Sequence, residues 1–217
     1  MASIPILREA EQQRAWAPCS VHLPERLAAA AVLAVMTPVI GLSALSLALI
    51  SRRSPLIAHR RVGWRGSTLW MLKLRTMWDS PGGERRGWIE RIEDSTGPLR
   101  KHAVDPRVRS AFARFCRRHS IDELPQLIHV IRGEMSLVGP RPLTAEELSR
   151  YYGEDAQEIL EAMPGIAGLW QVSGRNRLTY AERRELDLKL VRGRSLRMYL
   201  RVLIRTVAEV WNGANSW

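Results

Sequence analysis

Between Leu27 and Ser51 the chain runs for 25 residues without a charge, LAAAAVLAVMTPVIGLSALSLALIS. As continuous helix this stretch measures about 37 Å, against a hydrocarbon core of about 30 Å, so its scale is that of a membrane segment. A secretory signal would need a shorter apolar stretch and a small-residue cleavage site, and residues 1–26 are too mixed in charge for its leading region. Near the centre Pro38 cannot donate a backbone hydrogen bond, and Thr37 beside it offers a compensating hydroxyl. The 11 residues before the proline and the 13 after it make arms of about 17 to 20 Å, enough to reach the midplane and return. Arg26 precedes the run and Arg52, Arg53, Arg60 and Arg61 follow it, so both ends suit the cytoplasmic side. Two topologies fit these residues: a helix that dips and returns, and a kinked single pass with residues 1–26 outside.

Charge sets the next bound. The 217-residue chain carries 33 basic and 22 acidic residues, a formal charge of +11. Only Lys73, Lys101 and Lys189 are lysines, so the positive field is almost wholly guanidinium, the group suited to bidentate phosphate contacts. Anionic partners are expected, whether phosphate-bearing substrates or lipid headgroups. A nucleic-acid module, suggested by the arginines and eight tryptophans, would leave the uncharged run unexplained, so no nucleic-acid partner is expected. With 46% hydrophobic residues the chain is too apolar for disorder. Cys19 and Cys116 match no metal or redox spacing, and the five histidines form no HExxH pair. No transition-metal site is expected, although a hard cation held by carboxylates and phosphates leaves no such signature.

Beyond residue 51 the segment SPLIAHRRVGWRGSTLWMLKLRTM reads as a hairpin turning at Arg65-Gly66, and the polar residues 79–106 as a surface excursion. A basic amphipathic helix is predicted over 107–118, and the stretch from Arg100 to Arg118 holds seven basic residues and one acid. Three further helices announce their starts by Ser or Thr followed three residues on by Glu: Ser120 with Glu123, Thr144 with Glu147, Thr179 with Glu182. The last helix, about 195–211, repeats arginine at 197, 201 and 205 opposite Leu196, Leu200, Leu203, Val207 and Trp211. The expected fold is mainly α with a small antiparallel β element, an α+β chain with interfacial amphipathic helices. It divides into an N-terminal extension over 1–25, the membrane segment over 26–51 and a third region over 52–217, where any chemistry is expected to lie.

Asp122-Glu123 is the sharpest candidate for chemistry. Glu123 fits the third position of a capping box on Ser120, and Asp122 complements the helix dipole, which is a purely structural account of the pair. The same placement serves catalysis, because a carboxylate is ionised at neutral pH and needs no general base to attack phosphorus. Neighbouring helical side chains point about 100° apart, so one acid can attack while the other ligates a metal on the phosphate. Arg117 and Arg141, the latter held between Pro140 and Pro142, can supply fixed positive charge. In the glycine-bearing loop 164–176 neither a Walker sequence nor a GxGxxG turn is present, and Arg175 and Asn176 are its candidate nucleotide ligands.

These residues resemble the bacterial sugar transferases, the monotopic polyprenyl-phosphate phosphoglycosyl transferases. The matching text is SPLIAHRRVGWRG, KLRTM, DPR at 105–107, RRHSIDELPQL, RGEMSLVGPRPL, PGIAGLWQVSGRN and ELDLKLV, in the family's order from about 26 to 210. The resemblance implies transfer of a sugar-1-phosphate from a UDP-sugar to undecaprenyl phosphate, with release of UMP, at the cytoplasmic face of the bacterial inner membrane. It implies a re-entrant helix broken at a Ser-Pro-like pair, here Thr37-Pro38. By position the nucleophile falls on Asp122, the Mg2+ ligand on Glu123, a family lysine on Lys73, and phosphate-binding arginines on Arg117 and Arg141. Two positions depart: Tyr199 stands where relatives carry an acid, and His59 where they carry glutamine. The substitution at 199 keeps open a second reading, a catalytically silent lipid-binding or scaffold member of the same fold.

Overall fold

The computed structural model describes residues 19–78, 87–93, 105–193 and 195–213, without the side chains of residues 19–22 and 176. The leading helix α1 spans Cys19–Ser51. The most apolar 18-residue window within Leu23–Ser51 has a mean hydropathy of 2.2, yet only 17% of that window is buried. The buried positions are Glu25, Ala29, Ser43, Leu47, Ala48 and Ser51, near the two ends of the helix. Leu27, Val35, Leu42 and Leu49 are more than 60% exposed on the remaining surface. A helix this apolar with this little cover has a face for lipid rather than for a protein core. The expected break is not a gap in helical structure, because α1 runs on through Pro38. Thr37 Oγ1 donates to the Leu33 carbonyl at 2.7 Å, the hydroxyl back-bond available to a helix that must absorb a proline.

The hairpin is present, with β1 over Leu56–Val62 and β2 over Thr68–Leu74 in antiparallel register from Leu56 opposite Leu74 to Val62 opposite Thr68. Its turn is Trp64–Gly66, where Arg65 takes a left-handed φ of 53°. A third strand, β3 (Ile89–Ile92), pairs parallel to β1 from inside the excursion read as irregular, so the sheet is mixed and ordered β2-β1-β3. Residues 79–86 and 94–104 of that excursion lie outside the described residues. Helix α2 (Ala111–Arg118) starts on Ser110, whose side chain accepts from the Ala113 N–H. A 3-10 segment over Ile121–Gln126 leads directly into α3 (Leu127–Arg132). Strand β4 (Ser136–Val138) pairs in parallel with β5 (Gly165–Ala167). Between them come the short helices α4 (Ala145–Glu147) and α5 (Ala156–Leu160). The chain ends in α6 (Tyr180–Arg192) and α7 (Leu196–Asn212).

The expected antiparallel β element is therefore corrected to a mixed sheet plus a separate parallel pair. Parallel partners come from distant segments and leave no local turn signal. At the β4 and β5 ends Gly139 and Gly165 approach so closely that a Cβ on either would run into the other's backbone. Gly165 is thus required by the close approach of two backbones.

The expected capping box at Ser120 is also absent. Ser120 is itself left-handed, with φ 53°, and makes no side-chain cap bond. The boxes at Thr144 and Thr179 are both present. Core packing explains the difference, since Leu69 and Met71 of β2 bury with Ala29, Leu127, Val130 and Met135. Leu74 buries with Leu47, Trp78, Val108, Ala113 and Cys116. Strand β2 therefore seats against α1, α2 and α3 together, and the joint at Ser120 bends to bring residues 121–126 onto it.

Candidate active site

The 3-10 segment places Asp122 and Glu123 against the open side of β2. Asp122 is 7% exposed, and Glu123 is met from two directions. Lys73 Nζ donates to Glu123 Oε1 at 2.8 Å and Arg141 Nη2 to the same oxygen at 3.2 Å. The pair of charges is nearly enclosed, with the Lys73 and Glu123 side chains 15% and 20% exposed. Strand alternation puts Lys73 on the face of β2 that also carries Leu69 and Met71. Arg141 is presented by the Pro140 to Pro142 turn at the end of β4.

Two adjacent carboxyls acquire opposite characters here. Burial, then the neighbouring Glu123 charge, push Asp122 from 3.8 up to about 6, against the pull of Lys73 and Arg117. Burial also opposes ionisation of Glu123, but Lys73 and Arg141 outweigh it and hold that carboxyl far below its ordinary range. Burial lowers the Lys73 ammonium despite its partner. The result is a permanently charged, cation-bound Glu123 beside an Asp122 that is mostly ionised near neutrality and makes no bond to Lys73 or Arg141. A desolvated carboxylate that neither Lys73 nor Arg141 hydrogen-bonds is a competent nucleophile. Cys116 sits close enough to Asp122 that burial and that charge push its thiol up to about 11, which leaves it protonated and inert.

Arg117 Nη1 lies 3.5 Å from Thr76 Oγ1, and its buried Nε has no partner. Arg175 lines one cavity of about 150 Å3 with Glu123, Val32 of α1, Val172, and Thr206 and Val210 of α7. That residue takes a left-handed φ of 47°, and its Nε donates to the Gln171 carbonyl at 3.0 Å. Asn176 lies in the adjoining turn, and its side chain is outside the described part. The structure thus gathers Lys73, Arg117, Asp122, Glu123 and Arg141 at one point, with Arg175 across the cavity. Thr37 and Pro38 lie in the exposed middle of α1.

No group of three or more His, Cys, Asp or Glu able to hold a metal occurs among the described residues. Both named bonds to Glu123 fall on Oε1. The residues present fit a magnesium site of the kind that takes one or two carboxylates and completes its shell with substrate phosphates and water.

Several participants left no readable signal. Trp170, 6% exposed, lies between two guanidiniums, Arg183 at 4.8 Å and Arg141 at 5.9 Å from its ring centre. A cation-π seat steadies Arg141 without neutralising it. Asp187, fully buried in α6, accepts from Tyr152 Oη at 2.8 Å and is pushed up to about 7 by burial. Its Oδ1 has no partner. An aspartate between Leu186 and Leu188 was the one available hint.

Tyr199 stands elsewhere, at the joint of α1 and α7. Its hydroxyl donates to Glu25 Oε1 at 2.7 Å, and Ser136 Oγ donates to the same oxygen at 2.6 Å. The Leu137 N–H completes that set. The substitution at 199 therefore does not touch the acid pair, and the silent-member reading loses its support.

This arrangement suits phosphate ester chemistry beside an apolar surface. The family model for bacterial sugar transferases matches residues 20–213. The chain is 38% identical over 195 residues to the exopolysaccharide production protein ExoY of Rhizobium meliloti, covering 88% of this chain and 85% of that one. It is 34% identical over 200 residues to the UDP-glucose:undecaprenyl-phosphate glucose-1-phosphate transferase of Caulobacter vibrioides, covering 88% and 69%. Over 106 residues it is 47% identical to the undecaprenyl-phosphate galactose phosphotransferase of Salmonella typhimurium, covering 49% and 22%. The chain belongs to the bacterial sugar transferase family.

Proposed function

We propose that the protein transfers a sugar-1-phosphate from a UDP-sugar to undecaprenyl phosphate in two displacements through Asp122, as a membrane step of polysaccharide assembly. The observation that carries this reading is the split character of the acid pair, one carboxylate hydrogen-bonded by Lys73 and Arg141 and its neighbour bonded by neither. In the first step an Asp122 carboxylate oxygen attacks the sugar-bearing phosphorus of the donor. The bond from that phosphorus to the bridging oxygen breaks, and UMP leaves. In the second, a phosphate oxygen of the acceptor attacks the aspartyl-bound phosphorus and expels the Asp122 carboxylate, giving the diphosphate-linked lipid sugar. Arg117 and Arg141 face the charge that builds on the transferring group, and Lys73 keeps Glu123 ionised and in place. Glu123 would hold Mg2+, which neutralises diphosphate charge when bound.

The acceptor brings an apolar tail, and the cavity beside Glu123 has walls from α1 and α7, the helices with the apolar outer faces. On α7, Leu196, Leu200, Ile204, Val207 and Trp211 form an exposed stripe, an interfacial helix with arginines alongside. Helix α1 packs on the same body near both ends, through Ala29 in one cluster and Leu47 in another. A helix anchored to one body at both ends is seated from one side of a bilayer, which supports a monotopic topology, and Arg26, Arg52 and Arg53 at its flanks favour the cytoplasmic side. The test is incubation with a UDP-sugar panel, Mg2+ and undecaprenyl phosphate. UMP release from wild type, its loss in Asp122→Asn and a phosphosugar mass on the peptide 119–132 are expected. Release at the wild-type rate from Asp122→Asn would refute the nucleophile.

A further inference from the structure

We infer that His129 is a positioning residue that sets Lys73 against Glu123 by hydrogen-bonding the free edge of β2, an inference resting on the role proposed for that pair. Among the described residues, strand β2 has a strand neighbour on one side only. On an antiparallel edge strand alternate N–H groups face away from the partner, and a buried one must be satisfied by something else. At Leu72 that partner is a side chain: the Leu72 N–H donates to His129 Nε2 at 3.2 Å. Because Nε2 accepts, the ring proton lies on Nδ1, which meets Glu134 Oε2. The imidazole is 3% exposed, so its bond competes little with water.

Local chain geometry brings Glu134 to this spot. Gly133 closes α3 in a left-handed conformation, φ 77°, which a side chain at that position would resist. The reversal lets the Glu134 N–H donate to the His129 carbonyl at 2.8 Å and Gly133 N–H to that of Val130 at 3.0 Å, a Schellman closure. The residue that selects the imidazole tautomer is thus folded back over it by the helix end.

The consequence falls on the next residue. The hairpin register sets Lys73 opposite Ile57, but it relates β2 only to β1. The segment carrying Asp122 and Glu123 continues into α3, so His129 and Glu123 belong to one continuous run of turns. That run meets β2 twice, through Leu72 N–H to His129 and through Lys73 Nζ to Glu123. With Leu72 turned outward, alternation turns the Lys73 backbone inward and its side chain onto the face that meets residues 121–132. A long lysine reaching its partner from a strand held at that edge needs few rotamers. The same lysine on an untethered edge would sample many.

The test uses the full chain in lipid nanodiscs with three variants, His129→Leu, His129→Gln and Glu134→Leu. Glutamine can offer a carbonyl oxygen to the Leu72 N–H, and leucine offers none. Hydrogen exchange on the peptide containing Leu72 reads the bond directly, and single-turnover UMP release reads its effect. His129→Leu is expected to raise exchange at that peptide and to slow UMP release at saturating donor about tenfold, with the donor KM unchanged. His129→Gln is expected to restore both to within about threefold of wild type, a rescue that simple loss of packing would not show. Glu134→Leu frees the tautomer and is expected to raise exchange at the same peptide, and it serves if His129→Leu does not fold. Wild-type exchange in Glu134→Leu, wild-type UMP release in His129→Leu, or no rescue by glutamine would overturn the inference. If wild type releases no UMP from any donor, the proposed reaction fails, while the exchange arm still judges the tie.

Discussion

Replacing Asp122 by asparagine is expected to abolish turnover and to stabilise the protein, with a pH dependence that identifies the cause. In the folded chain Asp122 titrates at about 6, raised from 3.8 chiefly by burial. A group whose folded pKa is raised contributes stability below its unfolded pKa and loses that contribution as pH rises through the folded value. Between about pH 4 and pH 6 the wild-type protein therefore loses roughly 3 kcal/mol that an uncharged asparagine does not lose. For a chain of this length the difference is a melting temperature higher by about 6 to 12 °C in the variant at pH 8, shrinking toward zero at pH 4. Melting curves of wild type and Asp122→Asn in one detergent across that range measure it directly. A gap that does not change with pH, or a variant less stable at pH 8, would refute the claim that burial of this carboxylate is the stored cost of the nucleophile. Turnover by wild type is expected to fall about tenfold from pH 7 to pH 5 for the same reason, as Asp122 takes up its proton.

Three further outcomes follow from the contacts. Lys73→Met leaves Glu123 with Arg141 alone, and the loss of one partner from a nearly enclosed ion pair is expected to cost about 3 kcal/mol in unfolding free energy, measured by denaturant titration. Tyr199→Phe removes one of three donors to Glu25 and is expected to cost about 1 kcal/mol, with UMP release at wild-type rate; a large loss of release would move Tyr199 into the site. Gly165→Ala drives a methyl into the Gly139 backbone and is expected to destabilise the β4 and β5 junction by about 2 to 3 kcal/mol, seen as a lower melting temperature.

Much of this architecture is readable along the chain, for identifiable reasons. Thr144 and Thr179 announce helices because a capping box is made within four residues. The apolar run over 27–51 and the stripe on α7 are readable because one helix face repeats every 3.6 residues. Ser120 carries the same local signal and does not make a cap, since the packing of β2 on α2 and α3 demands a left-handed joint there. Strand β3 and the β4 and β5 pair escape sequence reading because parallel partners meet across long separations. His129 and Trp170 read as ordinary helix and loop residues until the fold brings Leu72 and two arginines to them.

The order of residues alone determined that an apolar helix would accompany a guanidinium-rich body, and that Asp122 and Glu123 would stand together near arginines. Periodicity and charge are properties of neighbours in sequence. Which acid became the bound anion and which the free one was decided by folding. Lys73 and Arg141 reach Glu123 from 50 and 18 residues away, and in an enclosed setting Coulomb attraction over a few ångströms outweighs every local preference. The same holds for Tyr199: only packing of α7 on α1 shows that it serves Glu25 and not the acid pair.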